Sequence, residues 1–360
     1  PRGAVTSRAM RRALPTTSLL LAGCLAPVQP HGPSVQLTGV TGLPGSTGEV
    51  AGSSSGEAES TGAPAGEDSV GSSSSESSGP LHDVGGMPDV GSLAPPGCKG
   101  KIDFLFVVSR AETMQTIQQR IVDAFADFHA TIQAKFEDFD YHIMVVDGDA
   151  EWGNWTCNET CTPQECPFPD YPCQYIDELT ACDNTMGAGT IINGGYYASN
   201  KLCGVVGGRR YLTREQPNLA ETFACIAQVG CSGYQVLGDA VTAAVGPELN
   251  GPGGCNQGFL RDDALLMITF VMGGIDPYSS GTSEEWAQQI LAAKHGDPRS
   301  VVMFGMFAPD CVDDEQDRLC QMVQMFPHWQ VESNLVTDYG PAFEKATDMI
   351  AEACSEFIPQ

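Results

Sequence analysis

Lys101-Ile-Asp-Phe-Leu-Phe-Val-Val-Ser-Arg-Ala-Glu-Thr-Met114 is the stretch that decides the architecture. Its run from Asp103 to Val108 hardly alternates between apolar and polar, the pattern of a strand buried on both faces. From Met114 to Phe136, apolar side chains recur at Ile117, Ile121, Phe125, Phe128 and Ile132. Those steps of three and four residues place one apolar stripe on an amphipathic helix. Tyr141 to Val146 then predicts a second buried strand.

Working outward, 218–229 and 235–245 predict helices, and 264–272 is the most apolar strand of the chain. Thr282-Ser-Glu-Glu285 is a capping box that opens a helix running to about His295. Residues 300–308 predict a buried strand, 314–326 a helix, 330–336 a weak edge strand and 341–357 a closing helix. Strands alternating with helices imply an α/β fold with a doubly wound, mostly parallel sheet. Ligand sites in such folds lie at the carboxyl ends of the strands. The loops at 109–113, 147–153, 230–235, 272–283 and 309–314 are therefore the places to look for function.

The first 97 residues have a different composition. Met10-Arg11-Arg12, the apolar stretch Ala13 to Ala22 and the small residues before Cys24 predict an export signal over residues 1–24. Leu21-Ala22-Gly23-Cys24 resembles a bacterial lipobox, which implies cleavage before Cys24, lipid on its sulfur and an outer-membrane address. Residues 25–97 are built mainly from Gly, Ser, Pro, Thr, Ala and acids, and Lys, Arg and aromatics are missing from 26–96. Such a segment buries too little apolar surface to offset the entropy of ordering it. It predicts a disordered tether with a span of about 45–50 Å. The folding unit, 98–360, is about 260 residues, enough for one full core.

Charge and cysteine usage narrow the function. The chain has 18 basic and 45 acidic residues, a net charge of −27. Loss of Arg2, Arg8, Arg11 and Arg12 with the leader makes it −31. That field repels phosphate backbones, so no nucleic acid is expected as a partner. Of 14 cysteines, 13 lie at or beyond Cys98, a usage that suits an exported, disulfide-bonded protein. Six of them, Cys157, Cys161, Cys166, Cys173, Cys182 and Cys203, crowd a proline-rich insertion at 152–204. Their spacings do not match paired zinc knuckles and no His lies nearby, so disulfides are favoured over metal. Connectivity stays open among 15 pairings for six cysteines. Trp152, Trp155, Phe168, Tyr171 and Tyr175 decorate the insertion, either as an interaction surface or as its packing.

Asp147-Gly-Asp149-Ala-Glu151 places alternating carboxylates after the second strand, at the correct edge for a calcium loop. An EF-hand needs Gly at the sixth position and Glu at the twelfth, and here those are Trp152 and Asn158. An irregular calcium site or a solvated turn remain.

The opening stretch 101–114 resembles the start of von Willebrand factor type A domains, an apolar strand followed by Asp-x-Ser-x-Ser and a helix. Asp140–Asp147, Ala198–Lys201, Gly208–Thr213 and Val245–Asn256 are similar to a group of myxobacterial lipoproteins of this type. The resemblance implies a metal-ion-dependent adhesion site, whose motif positions fall on Ser109, Ala111 and Thr113. The carboxylate is gone, and Asp103 lies about 20 Å away at the other end of the strand. In the second loop Ser232 stands where the family has Thr. In the third, Met272-Gly273 stands where it has Thr-Asp, with Asp276 three residues on. These departures imply a scaffold that has lost its ion, so no cofactor is expected. The alternative is a displaced Mg²⁺ or Ca²⁺ site of Asp276 with Glu112, Thr113 and Ser232. In the relatives a Cys precedes the last helix where this chain reads Asn334-Leu335-Val336, which implies that Cys354 has lost its partner. Cys98, Cys231 and Cys255 are the other candidates for an odd thiol.

No catalytic constellation is present. Gly230-Cys-Ser-Gly-Tyr234 lacks the glycine spacing of a nucleophile elbow, and the histidines are scattered. The expectation is a non-enzymatic cell-envelope lipoprotein with a protein-binding or adhesion module. It would bind a protein or envelope component and touch the membrane only through its lipid anchor. A cation-dependent adhesin is the first alternative and a cryptic hydrolase in the insertion a remote one.

Overall fold

In a computed structural model, residues 98, 101–136, 140–153, 166, 173–231, 235–307, 317–357 and 359 are described. The leader, Cys24, the tether, Cys157, Cys161, Ser232, Trp155, Phe168 and Tyr171 lie outside the described residues. β1 (Lys101–Val108) leads into α1 (Met114–Lys135) and β2 (Asp140–Asp147). Along β1 every residue from Ile102 to Val108 is buried. Alternate side chains serve different layers. Ile102, Phe104, Phe106 and Val108 pack into one core cluster, and Leu105 and Val107 into another. That two-sided burial is the physical reason for the unbroken apolar run.

After β2 come β3 (Tyr196–Ala198), β4 (Leu212–Thr213), α2 (Leu219–Ala227) and β5 (Val229–Cys231). Next are α3 (Leu237–Val245), α4 (Pro247–Asn250), β6 (Leu265–Val271) and α5 (Ser283–Ala292). β7 (Val301–Phe307), α6 (Arg318–Val323), β8 (His328–Ser333) and α7 (Gly340–Glu356) close the chain. The main sheet has six strands in the order β4-β2-β1-β6-β7-β8, parallel except for the antiparallel edge strand β4. β3 and β5 form a separate antiparallel pair. Core residues of α1, α2 and α7, among them Phe128, Phe223 and Phe343, cover one face. Those of α3, α5 and α6, among them Leu237, Trp286 and Leu319, cover the other.

The long elements lie within a few residues of their expected bounds, and α5 opens on the Thr282–Glu285 capping box. β8 stops three residues short of expectation. Asn334 makes the last backbone bond to β7, its N–H donating to Phe307 O at 2.7 Å, while its side-chain amide turns across the sheet end to Met272 O. α6 starts at Arg318, where the Asp317 carboxylate caps the Cys320 N–H at 3.2 Å.

The amino edge of the sheet is closed by a buried ionic cluster. Asp103 is fully buried and accepts 2.8 Å bonds from both the backbone N–H and Nε of Arg261. Burial pushes its carboxyl up to about 6, against the pull of Arg261. Lys294, also buried, donates to the carbonyls of Arg261, Asp262 and Ala264. These bonds fix the turn that feeds β6.

Disulfides join Cys98 to Cys354, Cys182 to Cys255 and Cys203 to Cys225. The expectation that Cys354 lacks a partner is therefore corrected, and Cys98 and Cys255 are likewise paired. Cys354 reaches back to Cys98 at the start of the domain, and no cysteine before the last helix is needed. Two insertion cysteines, Cys182 and Cys203, bond outside the insertion, so they staple it to the sheet-and-helix body. Cys173 and Cys320 are disulfide-bonded as well.

Candidate functional site

The carboxyl ends of β1, β2 and β6 bring together three of the loops expected to carry function, 109–113, 147–153 and 272–283, while 309–314 lies outside the described residues. Ser109 is fully buried, and its hydroxyl donates to Gln235 Oε1 and accepts from the Ala111 N–H at 3.0 Å. Gln118 of α1 donates to the Ser109 and Gly230 carbonyls and accepts from the Gly230 N–H. It ties the end of β1 to β5. Ala111 supplies no donor atom, and Thr113 begins α1 without a side-chain capping bond. The loop after β6 lies flush on Thr113, since a Cβ on Gly273 would come 2.5 Å from its Oγ1.

Asp276 serves the start of α3. It is buried, and its carboxylate accepts from the Gly238 N–H at 2.9 Å, the Ser279 N–H at 3.0 Å and the Ser279 hydroxyl at 2.6 Å. The Ser279 hydroxyl in turn accepts from the Gly238 and Asp239 N–H groups. Together they satisfy the first amides of α3, whose own N-cap, Val236, has no side chain able to do so. Arg318 holds the same loop by its carbonyls, donating to Asp276 O, Ser279 O and Gly281 O.

The carboxylates of the 147–151 loop face an arginine. Arg110, only 2 % exposed, directs Nη1 to Asp147 Oδ2 at 3.3 Å, Asp149 Oδ2 at 3.6 Å and Glu151 O at 3.1 Å. Its Nη2 donates to the carbonyls of Gly153 and Gly194. Burial pushes the Asp147 carboxyl up to about 6, while Arg110 pulls it down. Glu151 contributes its carbonyl to Arg110. Trp152 is buried and packs with Cys166 and Ile192, with Cys173 and Tyr175 at the margin. For Trp152 and Tyr175, packing of the insertion is the role on view. Gly194 lies on the Trp152 indole, where a Cβ would come within 2.7 Å of the ring.

A polar cavity of about 20 Å³, room for an ordered water, lies where the insertion meets β2. Arg110, Asp147, Asp149, Asp183 and Arg210 line it. Arg210 bonds Asp183 Oδ1 and Gly189 O, both at 2.5 Å, which pins the insertion a second time. Among the described residues no group of three His, Cys, Asp or Glu is placed to hold a metal ion.

Exposed apolar side chains fringe the same edge. Tyr278 is 63 % exposed and Leu335 62 %, with Ile275 and Val336 also open to solvent. Their loops are joined through the Asn334-to-Met272 bond and the Gln235-to-Ile275 O bond at 2.6 Å. Arg110, Gln118 and this fringe were not singled out from sequence. The sequence held only two separate signals, a basic residue between Ser109 and Ala111 and, 37 residues on, the Asp147-Gly-Asp149 loop.

No family model matches the chain. No curated protein matches it either. Among solved structures it is similar to proximal thread matrix protein 1 of the mussel byssus, at 12 % identity and a TM-score of 0.30. That alignment covers 72 % of this chain and 47 % of the byssus protein, so the chain spans about half the neighbour's length.

Proposed function

We propose that the chain is a non-enzymatic cell-envelope lipoprotein whose residues 98–360 form a doubly wound, von Willebrand factor type A-like binding module. The sheet order, with its antiparallel edge strand β4 and a helical layer on each face, supports the fold assignment. The lipobox-like Leu21–Cys24, the acidic tether and the disulfides support the envelope address. The observation that carries the functional reading is that, among the described residues of the carboxyl edge, Ser109, Asp276 and Arg110 are engaged by neighbouring groups while an apolar fringe is open. Ser109 engages Gln235, Asp276 engages α3, and Arg110 engages the carboxylate loop, which supports a mode of binding that needs no metal ion. Tyr278, Leu335, Ile275 and Val336 then offer apolar contact, the kind of surface that marks a protein-binding site.

The test is a photo-crosslinking residue placed at Leu335, compared with one at the exposed Asp262 on the opposite edge, in envelopes of producing cells. The expected result is a defined adduct at Leu335 that survives chelation, with none at Asp262. An adduct lost with chelator supports the cation-dependent adhesin. Equal labelling at both positions, or none at Leu335, refutes the surface.

A further inference from the structure

Five oxygens converge on the terminal nitrogens of one buried side chain. The carboxylates of Asp147 and Asp149 and the carbonyl of Glu151 face Arg110 Nη1, and the carbonyls of Gly153 and Gly194 face Nη2. They come from three places: the end of β2, the turn that follows it, and the far side of the insertion. Two carboxylates and three carbonyls form an all-oxygen donor set, the chemistry that hard divalent cations take, with water completing six to eight ligands. Without a cation, five electron-rich groups would face each other in a site largely closed to water. The Arg110 Nε, also buried, has no hydrogen-bond partner, so this side chain is seated for the contacts of its two terminal nitrogens.

We infer that this cradle is a calcium-class cation site whose occupant in this chain is the guanidinium of Arg110, which positions the insertion on the sheet as a structural ion would. The site is separate from Ser109, Ala111 and Thr113, whose side chains contribute nothing to it. A guanidinium brings one positive charge and a planar fork that matches several oxygens at once. It is held covalently one residue beyond Ser109, so it cannot be chelated or diluted away. Its placement also uses the local backbone. Gly194 can bring its carbonyl over the site only because it lacks a side chain against Trp152. The inference stands apart from the binding reading, since it concerns what holds the insertion and not what the edge contacts.

The experiment is calcium titration calorimetry and thermal unfolding of the oxidised full chain, in chelator and in millimolar Ca²⁺. Wild type, Arg110→Ala, Arg110→Met, Asp149→Asn and Arg110→Ala with Asp149→Asn are compared. Wild type is expected to unfold at the same temperature in both buffers. Arg110→Ala is expected to unfold at a lower temperature in chelator, to regain at least half of the loss in Ca²⁺ and to bind one ion per chain. Asp149→Asn should abolish that rescue. Arg110→Met keeps the apolar stem and guards against loss of packing alone. On it, Tb³⁺ luminescence excited through nearby Trp152 reports the ion directly. An Arg110→Ala chain that folds only with Ca²⁺ supports the inference. Overturning results are no Ca²⁺ response in either Arg110 variant, failure of both Arg110 variants to fold in either buffer, or a wild-type Ca²⁺ heat that Asp149→Asn removes.

Discussion

Replacing both cysteines of one disulfide by alanine, pair by pair, tests whether these crosslinks act through the loops they close. Cys98 and Cys354 are 256 residues apart, Cys182 and Cys255 73, and Cys203 and Cys225 22. The chain-entropy relation gives about 5.5, about 4.4 and about 3.4 kcal/mol for removing them, in that order. For a domain of this size each kcal/mol moves the midpoint by roughly 2–4 °C, so the first and last variants should differ by roughly 4–8 °C. The first pair also joins the start of the domain to the buried face of α7, where both sulfurs are inaccessible to solvent. Its loss should loosen α7 and expose the Phe343 side of the core. Thermal unfolding under non-reducing conditions, followed by near-ultraviolet dichroism, reads the midpoints. If the 22-residue staple costs as much as the 256-residue one, loop closure is not what these bonds contribute. The reasoning then fails, and local packing around Cys203 and Cys225 has to replace it.

Three further outcomes are expected. Asp103, whose pKa is about 6 in the folded chain against 3.8 ordinarily, stays protonated there while the unfolded chain ionises. Its contribution to stability should fall by about 3 kcal/mol as pH rises from about 4 to about 6. His142, lowered to about 4 mainly by burial, gives the opposite slope and lies 3.6 Å from Asp103, so Asp103→Asn is compared by urea unfolding in a His142→Gln background, and a difference that rises with pH contradicts the effect. Asp276→Ala should cost about 0.5–2 kcal/mol by uncapping α3, equally in chelator and in Mg²⁺. A cost seen only with the ion would restore Asp276 as a ligand. Gly194→Ala drives a Cβ into the Trp152 ring and should cost about 1–3 kcal/mol, read as faster proteolysis within 152–204. Unchanged proteolysis would show that the insertion shifts freely at this point.

The long elements were legible in the sequence because each is written in its own neighbours. The runs at 104–108 and 264–272 are apolar at every position but Thr269, since both sides of those strands meet helices. The stripe in α1 and the capping box of α5 are equally local. β4 and the β3–β5 pair were missed for the converse reason. With two or three residues each, they carry no period, and they are strands only because partners lie beside them. Asp276 was legible as an acidic residue in the correct loop but not as a cap, because the amide it caps, that of Gly238 in α3, lies 38 residues earlier.

Residue order alone therefore determined the α/β alternation, the low-complexity composition of 25–97, the acid excess and the abundance of crosslinkable thiols. Those properties depend on period and composition, which are sums over adjacent positions. Tertiary structure alone decided which cysteines meet, that the insertion is stapled outward, and that Arg110 faces Asp147, Asp149 and Gly194. Each of those depends on which distant groups share a small volume from which water has been removed. There an unpaired charge is costly, so the nearest opposite charge decides what the site becomes.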